Sequence, residues 1–302
     1  MKTATDCLPC FLRQAIRTAR LSNATPGEQL EIIRQVSEFL HLVDFTASPP
    51  ENATKLYQLI AAITGCDDPF ASIKKESNRF ALRIKPSIGK NINESDNPLL
   101  AALTFAIAGN IIDYGAPHQA DMEQTVRQAL SQNFAVNDFA ELQNDLRQAE
   151  NILYLADNSG EIVFDGMVIE KLSQQVTLAV KKKAIINDAL PEDAEECGLP
   201  GLCRVITNGT GCPGTPLSLC SEEFQRTFQQ ADLIICKGQG NFETLSQTRA
   251  PIFFLLTVKC PVVQRHIGEL TGQEPEMGHM VLMKGGDRTK KWRGPIPCGK
   301  QR

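Results

Sequence analysis

The residues best equipped for chemistry in this 302-residue chain fall directly after short apolar runs. Asp157-Asn158-Ser159-Gly160-Glu161 follows the run 152–156, and Asn187-Asp188 follows Ala184-Ile185-Ile186. Asn208-Gly209-Thr210-Gly211 follows Val205-Ile206-Thr207, Lys237-Gly238-Gln239-Gly240-Asn241 follows 233–236, and Lys259 follows 253–258. If the runs are parallel strands, all five segments lie at their carboxyl ends, the edge where open α/β sheets bind ligands. Asn, Asp and Gly are ordinary turn residues, so one such segment alone reads as a turn or a helix cap. Five converging on one edge read as a site. Asp157, Asn158 and Asp188 offer hard oxygen donors, which suit Mg²⁺ or Mn²⁺, with Co²⁺ or Ni²⁺ as alternatives. Lys237 and Lys259 are cations suited to phosphate, and the glycines at 209, 211, 238 and 240 let backbone N–H groups approach an anion. Metal, lysines and backbone amides together suit phosphoryl transfer, where charge stabilisation outweighs covalent work.

The other reactive residue types form no comparable pattern. The four histidines (41, 118, 266, 279) are scattered without ligand spacing, which argues against a zinc hydrolase. Cys7-x-x-Cys10 is half of a metal or redox motif, but it opens an amphipathic helix rather than following a βαβ turn. Its reading stays divided between a structural pair and an accessory metal site. Lys181-Lys182-Lys183 reads as a surface turn.

Two kinds of element must position these residues. In the first third, Leu8, Phe11, Leu12, Ala15, Ile16 and Ala19 form one helical stripe. Thr25-Pro26-Gly27-Glu28 is a capping box for a helix reaching about residue 40. A third helix covers 52–64 with Gly65 as its stop, Asp67-Asp68-Pro69 opens a fourth, and Asp96-Asn97-Pro98 opens an apolar fifth. From about residue 150 the period changes. Continuous apolar runs at 152–156, 176–180, 204–206, 233–236 and 252–256 suit strands buried on both faces, with helical stretches at 163–174, 191–197 and 222–229 between them. The expectation is an α/β protein: an all-helical N-terminal region (1–145), a Rossmann-like α/β/α domain with a mostly parallel sheet (146–284), and a basic, flexible tail (285–302).

The bulk numbers narrow the function classes. At 42% hydrophobic and 22% charged the chain is an ordinary globular one, and its net charge of −4 gives no general basic field for nucleic acid or acidic membranes. No signal-peptide core opens the sequence, and the most apolar run, 98–112, is too short for a membrane span. Ten cysteines without a secretory leader read as reduced thiols, so a cytoplasmic location is expected. The sequence leaves the oligomeric state open.

With the motifs set out, a resemblance emerges. Asp157-Asn158-Ser159-Gly160-Glu161 with Phe164-Asp165, Asn187-Asp188-Ala189, and Lys237-Gly238-Gln239-Gly240-Asn241-Phe242-Glu243 resemble the damage-control phosphatase family, formerly known as domain of unknown function 89. Cys7-x-x-Cys10, Glu76-Ser77-Asn78 and Ala108-Gly109-Asn110-Ile111-Ile112-Asp113 are similar to its short prokaryotic branch. The likeness spans about residues 5–270. It implies a helical region beside a Rossmann-like domain, a divalent cation, and hydrolysis of phosphate esters of small metabolites, such as sugar phosphates or damaged cofactor precursors. It implies Asp157, Asn158 and Asp188 as metal ligands. It places Gln239, Gly240, Asn241, Glu243 and Lys259 at the substrate, with Asn110 and Asp113 approaching from the helical region. Gln239 stands where the better-studied eukaryotic branch has an acidic residue, so that branch's substrate range does not carry over.

The expected reaction is therefore metal-dependent phosphomonoester hydrolysis, with Asp157, Asp188 and Lys237 as catalytic residues and Glu161, Asp165 or Asp188 as the base. A haloacid-dehalogenase-type mechanism would need a second aspartate where Ser159 stands. The alternatives are an S-adenosylmethionine-dependent carboxyl methyltransferase, against which the lone Gly160 after the first strand argues, and a non-catalytic metal- or metabolite-binding protein.

Overall fold

The structure is a computed structural model that describes residues 1–109 and 134–286. Helices α1 (Cys7–Leu21), α2 (Pro26–Leu40) and α3 (Pro49–Thr64) come first. They close around Phe11, Ala15, Ile32, Val36, Leu56 and Ile60, a core of their own. The capping box at α2 forms as its spacing predicts: the Glu28 N–H donates to the Thr25 hydroxyl at 3.3 Å, and the Thr25 N–H to the Glu28 carboxylate at 2.7 Å. Gly65 ends α3 with φ 64°. Helices α4 (Ala71–Glu94) and α5 (Pro98–Ala108) leave this bundle and cover one face of the sheet.

The second part alternates strand and helix. In chain order it runs β1 (Phe134–Asn137), α6 (Phe139–Leu146), β2 (Asn151–Leu155), α7 (Glu161–Ile169), β3 (Gln175–Val180), α8 (Pro191–Glu196) and β4 (Arg204–Thr207). It continues with α9 (Glu222–Gln230), β5 (Leu233–Lys237), α10 (Gln239–Leu245), β6 (Ile252–Thr257), α11 (Pro261–Thr271) and β7 (Met280–Lys284). The sheet order is β1-β7-β6-β5-β2-β3-β4, and every pairing is parallel except β6 with β7. The fold is thus the α/β arrangement with a mostly parallel sheet that the apolar runs predict.

Strand side chains alternate between two cores. Ile152, Tyr154 and Ile235 face the layer of α4, α5 and α7. Leu153, Leu155, Ile234 and Cys236 face Phe224, Phe242 and Ile267 on the other side. Helix α7, enclosed between the sheet and α4–α5, is buried at every residue, Glu161 and Asp165 included. Charges in such a place need partners.

Two expectations meet a different local structure. Ala184-Ile185-Ile186 is not a strand but a turn beyond β3, in which Ile186 has φ 46°. A left-handed β-branched residue is strained, so the surroundings impose this turn. Strand β1 lies inside the segment expected to be helical, and with β7 it extends the sheet. Among the described residues no helix is long and apolar enough to cross a membrane.

Candidate active site

Strand β2 has β3 on one side and β5 on the other, so the chain reverses its direction of travel across the sheet beside β2. Ligands of open α/β sheets bind at such a switch point. The carboxyl ends of β2 and β5 deliver Asp157-Asn158 and Lys237-Gly238 there. The two turns are in close contact. Gly238 has φ 84°, and a Cβ at that position would land on the Asp157 carboxylate. Only glycine meets both conditions.

The loop after β3 brings the third element. Asn158 and Asp188 form an isolated antiparallel bridge, the Ser159 N–H donates to the Asn187 carbonyl at 2.8 Å, and the Ala189 N–H donates to the Asp157 carbonyl at 2.9 Å. These backbone bonds hold Asp157, Asn158 and Asp188 side by side, with Asp157 half-buried and the other two buried. Burial, then the charges of Glu161 and Asp188, push the Asp157 carboxyl up to about 8, against the opposing pull of Lys259 and Lys237. Burial also raises Asp188 to about 6, with Lys181 opposing. Among the described residues no group of three or more His, Cys, Asp or Glu is arranged to hold a metal ion. The set here is two carboxylates and an amide. Two crowded, partly desolvated carboxylates beside an amide oxygen are hard donors whose repulsion a divalent cation would relieve, so these residues fit Mg²⁺ or Mn²⁺ chemically.

Behind them lies a buried polar network. Asn158 Nδ2 donates to Asp157 Oδ2 at 2.9 Å and to Glu161 Oε1 at 2.7 Å. Lys237 Nζ donates to Glu161 Oε2 and Asp165 Oδ1, both at 3.0 Å, and the Tyr154 hydroxyl donates to Asp165 Oδ1 at 2.7 Å. Burial by itself would lower the Lys237 ammonium, but Asp165 and Glu161 outweigh it and hold it above its ordinary value. Burial raises Asp165 despite Lys237. The Lys237 side chain is 1% exposed, so it does not stand open to the crevice as a phosphate cation would.

The remaining expected residues divide. Gln239 and Gly240 are half-buried at the start of α10, and Lys259 is exposed, its backbone N–H donating to Gln239 Oε1 at 3.0 Å. Asn241 is buried and fully engaged: Nδ2 donates to the carbonyls of Ala156 at 3.0 Å and Lys237 at 2.8 Å, and Oδ1 accepts from the Thr215 hydroxyl at 2.7 Å. It ties the ends of β2 and β5 to the loop after β4. Glu243 is also buried, accepting from Gln239 Nε2 at 2.8 Å, and burial pushes its carboxyl up to about 7. The Gly238 N–H donates to the Leu255 carbonyl at 2.9 Å and is taken, so it is not available to an anion. Asn110 and Asp113 lie outside the described residues.

Three further residues near the site have no role assigned from the sequence, although Asn78 belongs to one of the quoted motifs. Lys181 is no surface residue: it is 2% exposed, and its ammonium lies 3.5 Å from Asp188 Oδ2 and donates to the Gly214 carbonyl at 2.5 Å. It follows β3 directly, so the strand-end rule applied to the other strands would have found it. Asn78 of α4 accepts the Gly160 N–H at 2.7 Å and donates to Asp193 at 2.8 Å and Glu196 at 3.0 Å, tying the helical layer to the turn that carries Asp157-Asn158. Tyr57 of α3 feels the Asp188 charge, and its hydroxyl is raised chiefly by burial. It borders a cavity of about 730 Å³ between α3 and the loops at 183–186 and 209–211. Asp157, Asn158 and Lys259 do not line that cavity. Asp188 does not line it either.

Comparison with known proteins supplies the family. The model of the damage-control phosphatase ARMT1-like domain matches residues 3–274. Damage-control phosphatase PH1575 of Pyrococcus horikoshii is 36% identical over 274 residues, covering 88% of this chain and 94% of the relative. A damage-control phosphatase of Archaeoglobus fulgidus is 32% identical, covering 90% of this chain and 97% of its own. The crystal structure of the DUF89 family protein PH1575 superposes with a TM-score of 0.87 at 34% identity, over 94% of this chain and 99% of that one. The switch-point site therefore sits in a matched fold along nearly the whole chain, and this chain belongs to the damage-control phosphatase ARMT1-like family.

Proposed function

We propose that this phosphatase is a divalent-metal-dependent phosphomonoester hydrolase acting on small phosphorylated metabolites in the cytoplasm. The observation that carries the reading is the clasp of Asp157, Asn158 and Asp188 at the β2–β5 switch point, where two raised carboxylates and an amide meet. Asp157, Asn158 and Asp188 would hold the cation, with Mg²⁺ or Mn²⁺ matching the oxygen donors and Co²⁺ or Ni²⁺ possible replacements. When bound, that cation supplies Lewis-acid polarisation of a phosphoryl oxygen and a more acidic water. The protein's own residues do the rest. Lys259, exposed at the rim, meets the phosphate, and Gln239 holds the Lys259 backbone in place. Half-buried Gln239 and Gly240 edge the crevice. Asn110 and Asp113 are assigned to the substrate on the family resemblance alone.

Of the three base candidates, Glu161 and Asp165 are enclosed and already bonded to Asn158, Lys237 and Tyr154. Asp188, raised by burial to about 6 and set 3.5 Å from the Lys181 ammonium, is the base in this reading. Replacing Asp157 by alanine is expected to abolish Mn²⁺ binding and to lower hydrolysis of an aryl phosphate by at least ~10²–10³-fold. Wild-type turnover in Asp157→Ala with Mn²⁺ or Mg²⁺ present would refute the assignment.

A further inference from the structure

We propose that Lys237, Asp165 and Tyr154 form a buried strut that positions Asn158 for the cation, so that Lys237 is a positioning residue and not a phosphate contact. The proposal rests on the metal-dependent reading above and deepens it. Both N–H bonds of the Asn158 carboxamide point at carboxylates, Asp157 Oδ2 at 2.9 Å and Glu161 Oε1 at 2.7 Å. The opposite orientation would set the amide oxygen against those same two carboxylates, so the oxygen is the atom this residue has to offer a cation. The orientation is only as firm as Glu161. Glu161 lies on α7, where every residue is buried, and its second oxygen is held by Lys237 at 3.0 Å. Lys237 in turn is anchored at 3.0 Å by Asp165, which Tyr154 fixes at 2.7 Å. The chain Tyr154–Asp165–Lys237–Glu161–Asn158 thus runs from beneath the sheet's edge to the crevice, and its first four members are at most 1% exposed. A lysine held this way has its ammonium committed to two carboxylates. Outer residues that orient a metal-ligating side chain typically change metal affinity by ~10–100-fold.

Lys237 alone is a poor test, because deleting one buried cation also strengthens the field for any incoming cation. The double variant Lys237→Met with Asp165→Asn removes one positive and one negative charge together. Calorimetric titration with Mn²⁺ and steady-state kinetics on an aryl phosphate at saturating Mn²⁺ separate the two roles. The strut predicts Mn²⁺ affinity lower by ~10–100-fold, with KM at saturating metal within a few-fold of wild type. Unchanged Mn²⁺ affinity with a raised KM makes Lys237 a phosphate contact and overturns the proposal. Should circular dichroism show the double variant unfolded, Tyr154→Phe decides, since it keeps every charge and removes one donor to Asp165. Weaker Mn²⁺ binding with unchanged KM supports the strut, and wild-type Mn²⁺ binding overturns it. A wild-type protein that binds no Mn²⁺ brings down the metal reading and the strut together. A wild type that binds Mn²⁺, with both variants unaffected, brings down the strut alone.

Discussion

Residue by residue, the site differs from its outline in the sequence mainly in where the positive charge sits. Lysines 181 and 237 are buried against carboxylates, whereas Lys259 remains at the surface. The Lys181 ammonium and a divalent cation would compete for the same carboxylate, Asp188, and this sets the sign of a test. In Lys181→Met the metal-free protein keeps a buried carboxylate without its cation, a change of the kind that costs ~3–5 kcal/mol when a buried pair is broken. The 3.5 Å separation places this case at the lower end. A bound Mn²⁺ then replaces the missing charge. Thermal unfolding is therefore expected to show a lower midpoint for Lys181→Met without metal, and a larger Mn²⁺-induced rise than in wild type. Equal rises in the two proteins would mean that Asp188 lies outside the field of the cation.

At the scale of elements, the turn after β5 matters as much as the one that carries Asp157. Gly238→Ala would have to adopt φ 84° with a methyl group on the Asp157 carboxylate. Expected are a loss of ~2–3 kcal/mol in denaturant unfolding and a fall of at least ~10²-fold in turnover, because both the backbone and the Asp157 side chain must move. Wild-type turnover in Gly238→Ala would show that Asp157 need not sit where it does. The strands flanking this point are legible because β2 and β5 are buried on both faces and read as unbroken apolar runs. Strand β1 is four residues with mixed burial, and the run that forms β7 cannot be told from a helical segment by periodicity. Ile185-Ile186 imitates a strand because residue type does not reveal a positive φ. The position of Asp157-Asn158 was legible because they follow β2 directly, whereas Asp188 reaches them from a turn that only resembles a strand end. The strut was not legible, because Glu161 and Asp165 lie on a helix whose burial on all sides is a property of the packed layers.

For the molecule as a whole, the helical bundle and the sheet meet along α10, whose residues pack against α3. Glu243 is buried in that helix, and its charge reaches Cys7 at the start of α1. A carboxyl raised by burial from 4.5 to about 7 makes the junction sensitive to pH. Between those values the folded protein holds more protons than the unfolded chain, so this group's contribution to stability declines as pH rises from about 4.5. The decline ends once pH passes about 7, where Glu243 is ionised in both states. Glutamine keeps the shape and the acceptor for Gln239 but never ionises. Glu243→Gln should therefore match wild type near pH 4.5 and become the more stable protein as pH rises. The gap should reach at most about 3 kcal/mol by pH 8, measured by denaturant unfolding in metal-free buffer. The sign is opposite to that of an exposed, salt-bridged carboxylate, whose removal weakens a protein above its pKa. If wild type and Glu243→Gln run parallel across this range, Glu243 is solvated at the junction. The bundle and the sheet would then meet less tightly along α10 than the packing of α3 requires.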